Sequence, residues 1–225
     1  MLVLALDTST PVMTAGIVRL GDGSALDVLA EQSLVDPFAH AEHLMPLLRQ
    51  ALADAGQRLT AANAVVTGLG PGPFTGLRVG IATAAALGDG LGIPVYGVGS
   101  HQAVAAAAGG DDLLIVTDAR RREVYVSFFT GGRCVAGPVP MAPAAVPAWL
   151  ASNELEPVAM AGAGTTLLGT TGLPVRNSTG LSRGLVEVAR PDLLAGTEPG
   201  PLTPLYLRRP DATEPSAVRK SVLGR

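Results

Sequence analysis

The chain has 225 residues, a formal net charge of -3 and 16% charged residues, which excludes the global basic field that would hold a nucleic-acid backbone. Its single cysteine, Cys134, excludes an internal disulfide and indicates a reducing compartment. The start of the sequence lacks the features of a signal peptide, and no stretch of about 18 residues is apolar enough for a transmembrane helix. We therefore expect a soluble, cytoplasmic protein without membrane contact, in which any contact with nucleic acid is local or indirect.

Apolar patterning in the first half of the chain predicts strands and helices in the order βββαβαβ, followed by a third helix. The predicted strands cover residues 1–6, 14–20, 25–35, 64–69 and 93–98. The predicted helices cover residues 44–55, 74–91 and 101–108. We expect Pro46 to lie in the first turn of its helix, where a missing amide hydrogen is tolerated, and Ser100 to cap the third helix. This order is that of an actin-like or ribonuclease-H-like half.

The second half of the chain repeats the series in a shorter form, βββαβα. Its predicted strands cover residues 113–117, 123–129, 133–136 and 158–161, and its predicted helices cover residues 144–151 and 181–194. Asp7 and Asp118 follow the first strand of each half at corresponding places. The sequence therefore predicts an α/β protein with a first lobe over residues 1–108, a smaller second lobe over residues 109–210 and a mobile tail over residues 211–225.

A stretch rich in glycine and proline, residues 68–80, connects the fourth strand to the second helix. A glycine-rich turn before a helix is typical of a phosphate cradle. However, Pro71 and Pro73 carry no amide hydrogen, and no Lys-Ser/Thr pair follows as in a P-loop. A rigid strand-to-helix turn is the favoured interpretation, with a nucleotide contact as the alternative.

Small residues recur every four positions in the second helix, which places them on one face of it. They are Gly76, Gly80, Ala84 and Gly88. The first helix also offers broad apolar surface, at Leu44, Leu47, Leu48 and Ala51. Such a stripe permits close approach of another backbone, either within the chain or in a partner, and both interpretations remain open.

Polar residues after the first strand, Asp7 to Thr10, resemble the first phosphate-binding turn of actin-like ATPases, in which an aspartate orients magnesium. The second half would need a matching Asp-x-Gly, but it has Asp118-Ala119-Arg120. The side chains of Ala119 and of the arginines at 120–122 would crowd a phosphate, which argues against catalytic use of ATP. The arginine run could contact a phosphate backbone, although a solvated or ion-paired patch is the favoured interpretation.

Two histidines three residues apart, His40 and His43, precede the first apolar helix. A metal site needs a third ligand, for which the sequence offers no obvious candidate. We therefore predict no metal site, and no catalytic triad motif is present.

Five segments together resemble the TsaB (YeaZ) family. They are residues 4–10, 40–46, 70–80, 118–125 and 204–208. The family-motif residues are Asp7, Thr8, Ser9, His40, Gly70, Pro71, Gly72, Phe74, Thr75, Gly76, Leu77, Arg78, Gly80, Asp118 and Arg120. Pro73 stands where the family usually has serine. The segments span nearly the whole chain in the order of the family.

The resemblance implies a two-lobed actin-like (ASKHA) fold that is not an enzyme by itself. It implies an accessory subunit for tRNA N6-threonylcarbamoyladenosine modification next to the anticodon, which binds and activates a TsaD-like catalytic subunit together with a TsaE-like ATPase. Family members dimerise through the two helices of the first lobe, here residues 44–55 and 74–91, so a homodimer is expected for the chain alone. Contact with tRNA would then be indirect, through the complex.

The isolated chain is expected to bind no cofactor tightly, with ATP or ADP bound only in the complex. Two alternatives from other classes are a glycoprotease-type metallopeptidase and a stand-alone actin-like kinase or ATPase. A stoichiometric metal ion at His40 and His43 would favour the first alternative, and tight magnesium-ATP binding would favour the second.

Overall fold

The computed structural model describes residues 1–21, 25–36 and 40–208, without the side chain of His40. The predicted tail at 211–225 lies outside the described residues. The first sheet contains five strands in the order β3-β2-β1-β4-β5. They are β1 (Leu2–Asp7), β2 (Val12–Leu20), β3 (Leu26–Val35), β4 (Ala64–Gly68) and β5 (Val95–Val98). The strand β1 pairs antiparallel with β2 and parallel with β4, which confirms the ribonuclease-H-like topology.

Helices cover both faces of this sheet. They are α1 (His40–Asp54), α2 (Phe74–Leu91) and α3 (Ser100–Ala108). Leu4 and Leu6 of β1 pack beneath α1 and α2, whereas Val3 and Ala5 face the opposite side. Because the sheet is buried on both faces, its central strands β1 and β4 are apolar over residues 2–6 and 64–66.

Two local predictions are wrong, namely the position of Pro46 in its helix and the residue that caps the third helix. The helix α1 begins at His40, so Pro46 lies in its interior. The polar residues at the start of α1 carry no apolar periodicity, and the sequence pattern therefore begins one turn late. Ser100 is the first residue of α3 and does not cap it. The amide of Gly99 instead donates to Gln102 Oε1 at 3.1 Å. The Ser100 hydroxyl donates to the Asp7 carboxylate.

The second sheet repeats the arrangement with four strands in the order β8-β7-β6-β9. They are β6 (Leu113–Arg120), β7 (Glu123–Thr130), β8 (Arg133–Met141) and β9 (Ala159–Ala161). The strand β6 pairs antiparallel with β7 and parallel with β9, as β1 does with β2 and β4. A single parallel bridge between Met160 and Val175 stands where the first sheet has its fifth strand. The predicted duplication of the two lobes is thus present in the strand topology.

The remaining helices are α4 (Val146–Ser152) and α5 (Leu181–Ala195). Although α5 follows the second sheet in sequence, Leu185 and Ala189 pack against Val3 and Val66 of the first sheet. Gly184 lets α5 cross α3 closely, since a Cβ there would lie 2.0 Å from the Ala103 carbonyl oxygen. The final helix therefore returns to the first sheet, and the division of domains at residue 108 stays a prediction.

The helix α3 also contacts the second sheet, because Val104 and Ala105 pack with Leu113, Ile115 and Phe129. It joins the cores of the two lobes. Over the described ranges, none of the helices is both long and apolar enough to span a bilayer.

Candidate functional site at the end of the first strand

The carboxylate of Asp7 lies at the end of β1 and is fully buried. Its Oδ1 accepts the Ser9 amide at 2.6 Å, and its Oδ2 accepts the Ser100 hydroxyl at 2.6 Å. The Ser100 hydroxyl in turn accepts the Gly70 amide at 3.1 Å. Burial raises the pKa of the Asp7 carboxyl, and the hydrogen bonds from Ser100 and Ser9 lower it in part. One carboxylate thus ties together β1, the start of α3 and the loop before α2.

The loop between β4 and α2, residues 69–73, which we call the glycine-proline loop, packs directly on the turn after β1. A Cβ at Gly72 would lie 2.1 Å from the Ser9 carbonyl oxygen, and the Thr8 hydroxyl donates to the Gly76 carbonyl oxygen at 2.7 Å. The chain therefore fills the place where a phosphate cradle would need open backbone amides. The rigid turn is the interpretation that this packing supports.

The predicted docking stripe on α2 faces inward. Gly76, Gly80, Ala84 and Gly88 are all buried, and a Cβ at Gly88 would lie 2.2 Å from Val95 Cγ2 of β5. These residues permit close approach of α2 to the chain's own sheet, so their burial does not support the predicted role at a partner interface, which stays a prediction.

The apolar positions predicted on α1 are also directed mainly at the core. Leu44, Leu48 and Ala51 are buried, and Leu47 is partly buried. The exposed positions of the helix pair are different ones, including Met45, Ala82 and Ala86.

A cleft of about 440 Å³ separates the two lobes. Its lining includes Thr10, Thr14, Glu31, Ser33, Thr117 and Arg176. Within the described part of the chain, Asp7 and Asp118 lie outside this lining. The Asp118 Oδ1 accepts the Arg120 amide at 2.7 Å, and Ala119 is buried. The structure therefore does not bring the two aspartates together around an open nucleotide site.

A buried histidine, His101, lies at the junction of the lobes, and no sequence motif marks it as a site residue. His101 Nδ1 lies 2.7 Å from the Ser127 hydroxyl, and Nε2 lies 2.9 Å from the Thr117 hydroxyl. Burial lowers the pKa of His101 to about 3. The imidazole is therefore neutral at pH 7 and links α3 to β6 and β7.

The last described segment, residues 202–208, which we call the C-terminal strap, connects both lobes. On the first lobe, the Tyr206 ring stacks on Phe74 with centroids 4.8 Å apart, and its hydroxyl accepts Arg78 Nε at 2.9 Å. On the second lobe, the Arg208 guanidinium pairs with Glu123 at 2.9 Å. Direct contacts thus link the family-motif segments at residues 4–10, 70–80, 118–125 and 204–208.

The histidines at the start of α1 give no support for a metal centre. His43 Nε2 lies 3.7 Å from Asp36 Oδ2, whereas the His40 side chain lies outside the description. In the ranges that the structure describes, no three histidine, cysteine, aspartate or glutamate side chains form a group that could hold a metal ion.

Removing the Ser100 hydroxyl tests the role of the hydrogen bonds that join Asp7, Ser100 and the Gly70 amide. Ser100→Ala leaves the Asp7 Oδ2 and the Gly70 amide without their partner, so we expect the free energy of unfolding to fall by about 2 kcal/mol. Chemical denaturation measures the change. The control Ser152→Ala removes an exposed hydroxyl and should change stability by less than about 0.5 kcal/mol. Equal effects of the two substitutions would contradict the role given to Ser100.

The sequence of this chain is similar to those of several known proteins. A family profile described as "TsaD: tRNA N6-adenosine threonylcarbamoyltransferase" matches residues 37–146. An uncharacterized protein of Mycobacterium tuberculosis is 49% identical over 223 residues, which cover 96% of this chain and 95% of the relative. The tRNA threonylcarbamoyladenosine biosynthesis protein TsaB of Haemophilus influenzae is 33% identical over 128 residues, 55% of this chain and 52% of that protein.

A solved structure extends the similarity to the second lobe. YeaZ from Pseudomonas aeruginosa superposes with a TM-score of 0.67 and 26% sequence identity, covering 91% of this chain and 100% of that chain. The likeness to TsaB in sequence spans about half of each protein, whereas the likeness to YeaZ in structure spans nearly all of both. The chain is therefore similar to TsaB in sequence over about half of its length and to YeaZ in fold over nearly all of it.

Proposed function

We propose that this protein is a non-catalytic accessory subunit in tRNA threonylcarbamoyladenosine biosynthesis. It binds a TsaD-like catalytic subunit, keeps that subunit in its active form, and works with a TsaE-like ATPase in the cytoplasm. The closed environment of Asp7 is the observation that carries this proposal. In actin-like ATPases the corresponding aspartate orients magnesium, but here both carboxylate oxygens accept protein hydrogen bonds and are buried.

The outward face of the helix pair α1 and α2 is the proposed docking surface. Met45 is 37% exposed, and the small residues Ala82 and Ala86 are exposed one helical turn apart. Small side chains let the backbone of a partner helix approach closely, and a large apolar residue beside them can bury its side chain on contact. The same surface would serve the homodimer of the chain alone, so catalytic subunit and second copy would compete for it.

Placing charge on this surface tests the proposal. The double substitution Ala82→Arg/Ala86→Arg adds two bulky cations where close apolar packing is needed. We expect loss of co-elution with the TsaD-like subunit and at least a tenfold decrease in threonylcarbamoyl transfer to tRNA by the reconstituted proteins, since about 1.4 kcal/mol of lost binding already gives that factor. Both positions are exposed, so thermal unfolding should stay close to that of the unmodified protein.

Ala106→Arg is the matched control, because Ala106 is exposed on α3 of the same lobe. It should leave co-elution and transfer unchanged. Retention of the complex by the double variant would contradict the docking surface. Tight magnesium-ATP binding by the isolated chain would instead favour an actin-like kinase, and a stoichiometric metal ion would favour a metallopeptidase.

A further inference from the structure

The hairpin of β6 and β7 contains a bulge, and the C-terminal strap contacts the second lobe at this bulge. The register of β6 with β7 shifts between Asp118 and Arg120, so Ala119 is the extra residue of the bulge. Ala119 is buried, and a buried carbonyl group needs a hydrogen-bond donor. The strap supplies this donor, because Arg208 Nη1 donates to the Ala119 carbonyl oxygen at 2.7 Å.

The same guanidinium forms an ion pair with the hairpin. Arg208 Nη2 lies 2.9 Å from Glu123 Oε2, and the two side chains are 27% and 35% exposed. One planar group thus contacts both the backbone and a carboxylate of the hairpin, and we call these two contacts the latch. A partly exposed ion pair is weakened by water and by salt, so the latch is the end of the strap that can open.

The contacts of the strap with the first lobe, which we call the anchor, are of a different kind. The Leu205 amide donates to the Leu69 carbonyl oxygen at 2.8 Å. The Tyr206 ring stacks on Phe74. The Arg78 guanidinium lies 3.8 Å from the centroid of the Phe74 ring and donates to the Tyr206 hydroxyl. Because ring stacking buries apolar surface, the anchor is less sensitive to charge screening than the latch.

The anchor contacts the first turn of α2, which has no side-chain cap. The residue before α2 is Pro73, and no side-chain hydrogen bond caps the helix there. A helix end without such a cap frays more readily. Phe74 and Arg78 lie one helical turn apart at the start of α2, so the strap holds this turn from outside the helix. Order in the first turn of α2 therefore depends on the strap.

The two lobes have separate cores, so their relative position depends on the segments that connect them. The cluster beneath α1 and α2 shares no residue with the cluster beneath α4, and a cleft of about 440 Å³ separates the lobes. The helix α3 and the first residue of α5 pack against both lobes. Rotation of one domain about such a joint is a common mode of movement, and an attachment at a second place limits it.

We propose that the C-terminal strap is a clasp that fixes the second lobe relative to the first, with Arg208 as its releasable latch. While the latch is closed, the strap holds the second lobe in place and keeps the first turn of α2 ordered. When the latch opens, the second lobe moves over a wider range of angles and the first turn of α2 loses protection. The clasp thereby couples α2, which carries the proposed docking surface, to the position of the second lobe.

The distance between two spin labels, measured by double electron-electron resonance, tests the position of the second lobe. Cys134 is exposed on β8 and carries one label, and Arg49→Cys, at an exposed position of α1, carries the other. In this labelled chain, Arg208→Ala should broaden the distance distribution about twofold, because one attachment of the lobe is lost. Arg19→Ala removes an exposed arginine of β2 and, as the control, should leave the width unchanged.

Hydrogen exchange in the full chain tests whether the two ends of the strap are coupled. Arg208→Ala removes the latch, yet the amides of residues 77–80 at the anchor should exchange about tenfold faster, since hydrogen bonds to a charged group contribute that factor or more. Tyr206→Ala removes the ring stack of the anchor, and the amides of residues 117–124 should respond in the same way. Tyr206→Phe keeps the stacked ring and should leave exchange in residues 117–124 close to that of the unmodified chain.

Uncoupled behaviour of the two ends would overturn the inference. Faster exchange only at the end that carries the substitution would show two independent local contacts, and an unchanged distance distribution in Arg208→Ala would show that the strap does not hold the lobe. Glu123→Gln keeps the hydrogen bond to the Ala119 carbonyl oxygen and removes the charge of the pair. It should shift both measurements in the same direction by a smaller amount, and it serves as the test if Arg208→Ala does not fold.

All of these measurements use the isolated chain. Their result is therefore independent of the proposed function, which fails only if the unmodified chain forms no complex with a TsaD-like subunit. A chain that binds this subunit but shows no coupling between latch and anchor would overturn the clasp alone.

Discussion

Gly68→Ala is expected to lower the free energy of unfolding by about 3–5 kcal/mol, because the added methyl group would break the buried network around Asp7. A Cβ at Gly68 would lie 1.9 Å from Asp7 Oδ2 and 2.6 Å from the Ser100 hydroxyl oxygen. These are the two atoms that form the 2.6 Å hydrogen bond between β1 and α3. Neither can move away without leaving a buried carboxylate oxygen unpaired, so the cost exceeds that of ordinary overpacking.

Thermal and urea denaturation would measure this loss, and a decrease in Tm of roughly 10 °C corresponds to it for a chain of this length. Gly90→Ala is the matched control. Gly90 lies in α2, and a Cβ there would meet nothing within 4 Å. Alanine has the higher helix propensity, so this control should stabilise the protein by about 0.5–1 kcal/mol. A Gly68→Ala protein as stable as the unmodified chain would show that the network around Asp7 does not hold the fold together.

His101→Gln is expected to remove much of the acid sensitivity of the fold. The pKa of His101 falls from 6.5 to about 3 on folding because the ring is buried. Between these values the unfolded chain binds one more proton than the folded chain. Stability due to this group is therefore complete above pH 6.5 and is lost by about 1.4 kcal/mol per pH unit as the pH falls toward 3. At pH 4.5 the loss is about 3 kcal/mol.

The variant should be less stable than the unmodified protein at pH 7, by about 1–2 kcal/mol, because an amide replaces the ring between the Ser127 and Thr117 hydroxyls. It should approach or exceed the stability of the unmodified protein near pH 4.5. Urea titrations from pH 7 to pH 4.5 would measure the two curves. Parallel curves over this range would contradict the neutral, buried state assigned to His101.

The Asp7 carboxyl contributes to the pH dependence with the opposite sign. Its pKa is raised above 3.8 by burial, so between pH 3.8 and that raised pKa the folded state holds more protons at this carboxyl than the unfolded state does. Stability from this group increases as the pH falls through the raised pKa. The contribution is common to both proteins and cancels in their difference. His43→Gln, which removes a partly exposed imidazole, controls for histidine replacement as such.

The sequence determined the secondary structure and the topology of this protein to a large extent. Apolar runs and helical spacing predicted the nine strands that the described residues form and the main helices, and α2 was predicted at its observed bounds of Phe74–Leu91. These patterns are readable because burial repeats every two residues in a strand and every 3.6 in a helix. Pro46 shows the limit of this reading, because the polar first turn of α1 left no periodic signal.

Only the tertiary structure decided what approaches the residues that the sequence singled out. Spacing of four in α2 correctly indicated close backbone approach, but the neighbour of Gly80 is Thr8 and the neighbour of Gly88 is Val95, both within the chain. The return of α5 to the first sheet and the burial of His101 between two hydroxyls could not be predicted either. Each depends on pairs of residues far apart in the chain, whose register is set by packing of the whole core.

The turn after β1 shows both contributions together. The sequence by itself determined that an aspartate ends a buried strand and that a stiff glycine-proline loop precedes a helix. It could not determine that the Asp7 carboxylate would be closed off by Ser100 and the loop. A phosphate-binding turn and a sealed one use the same residue types, and they differ in how closely β1, the loop and α3 approach one another. That distance is a property of the packed core, in which Gly68 leaves the space that Asp7 occupies.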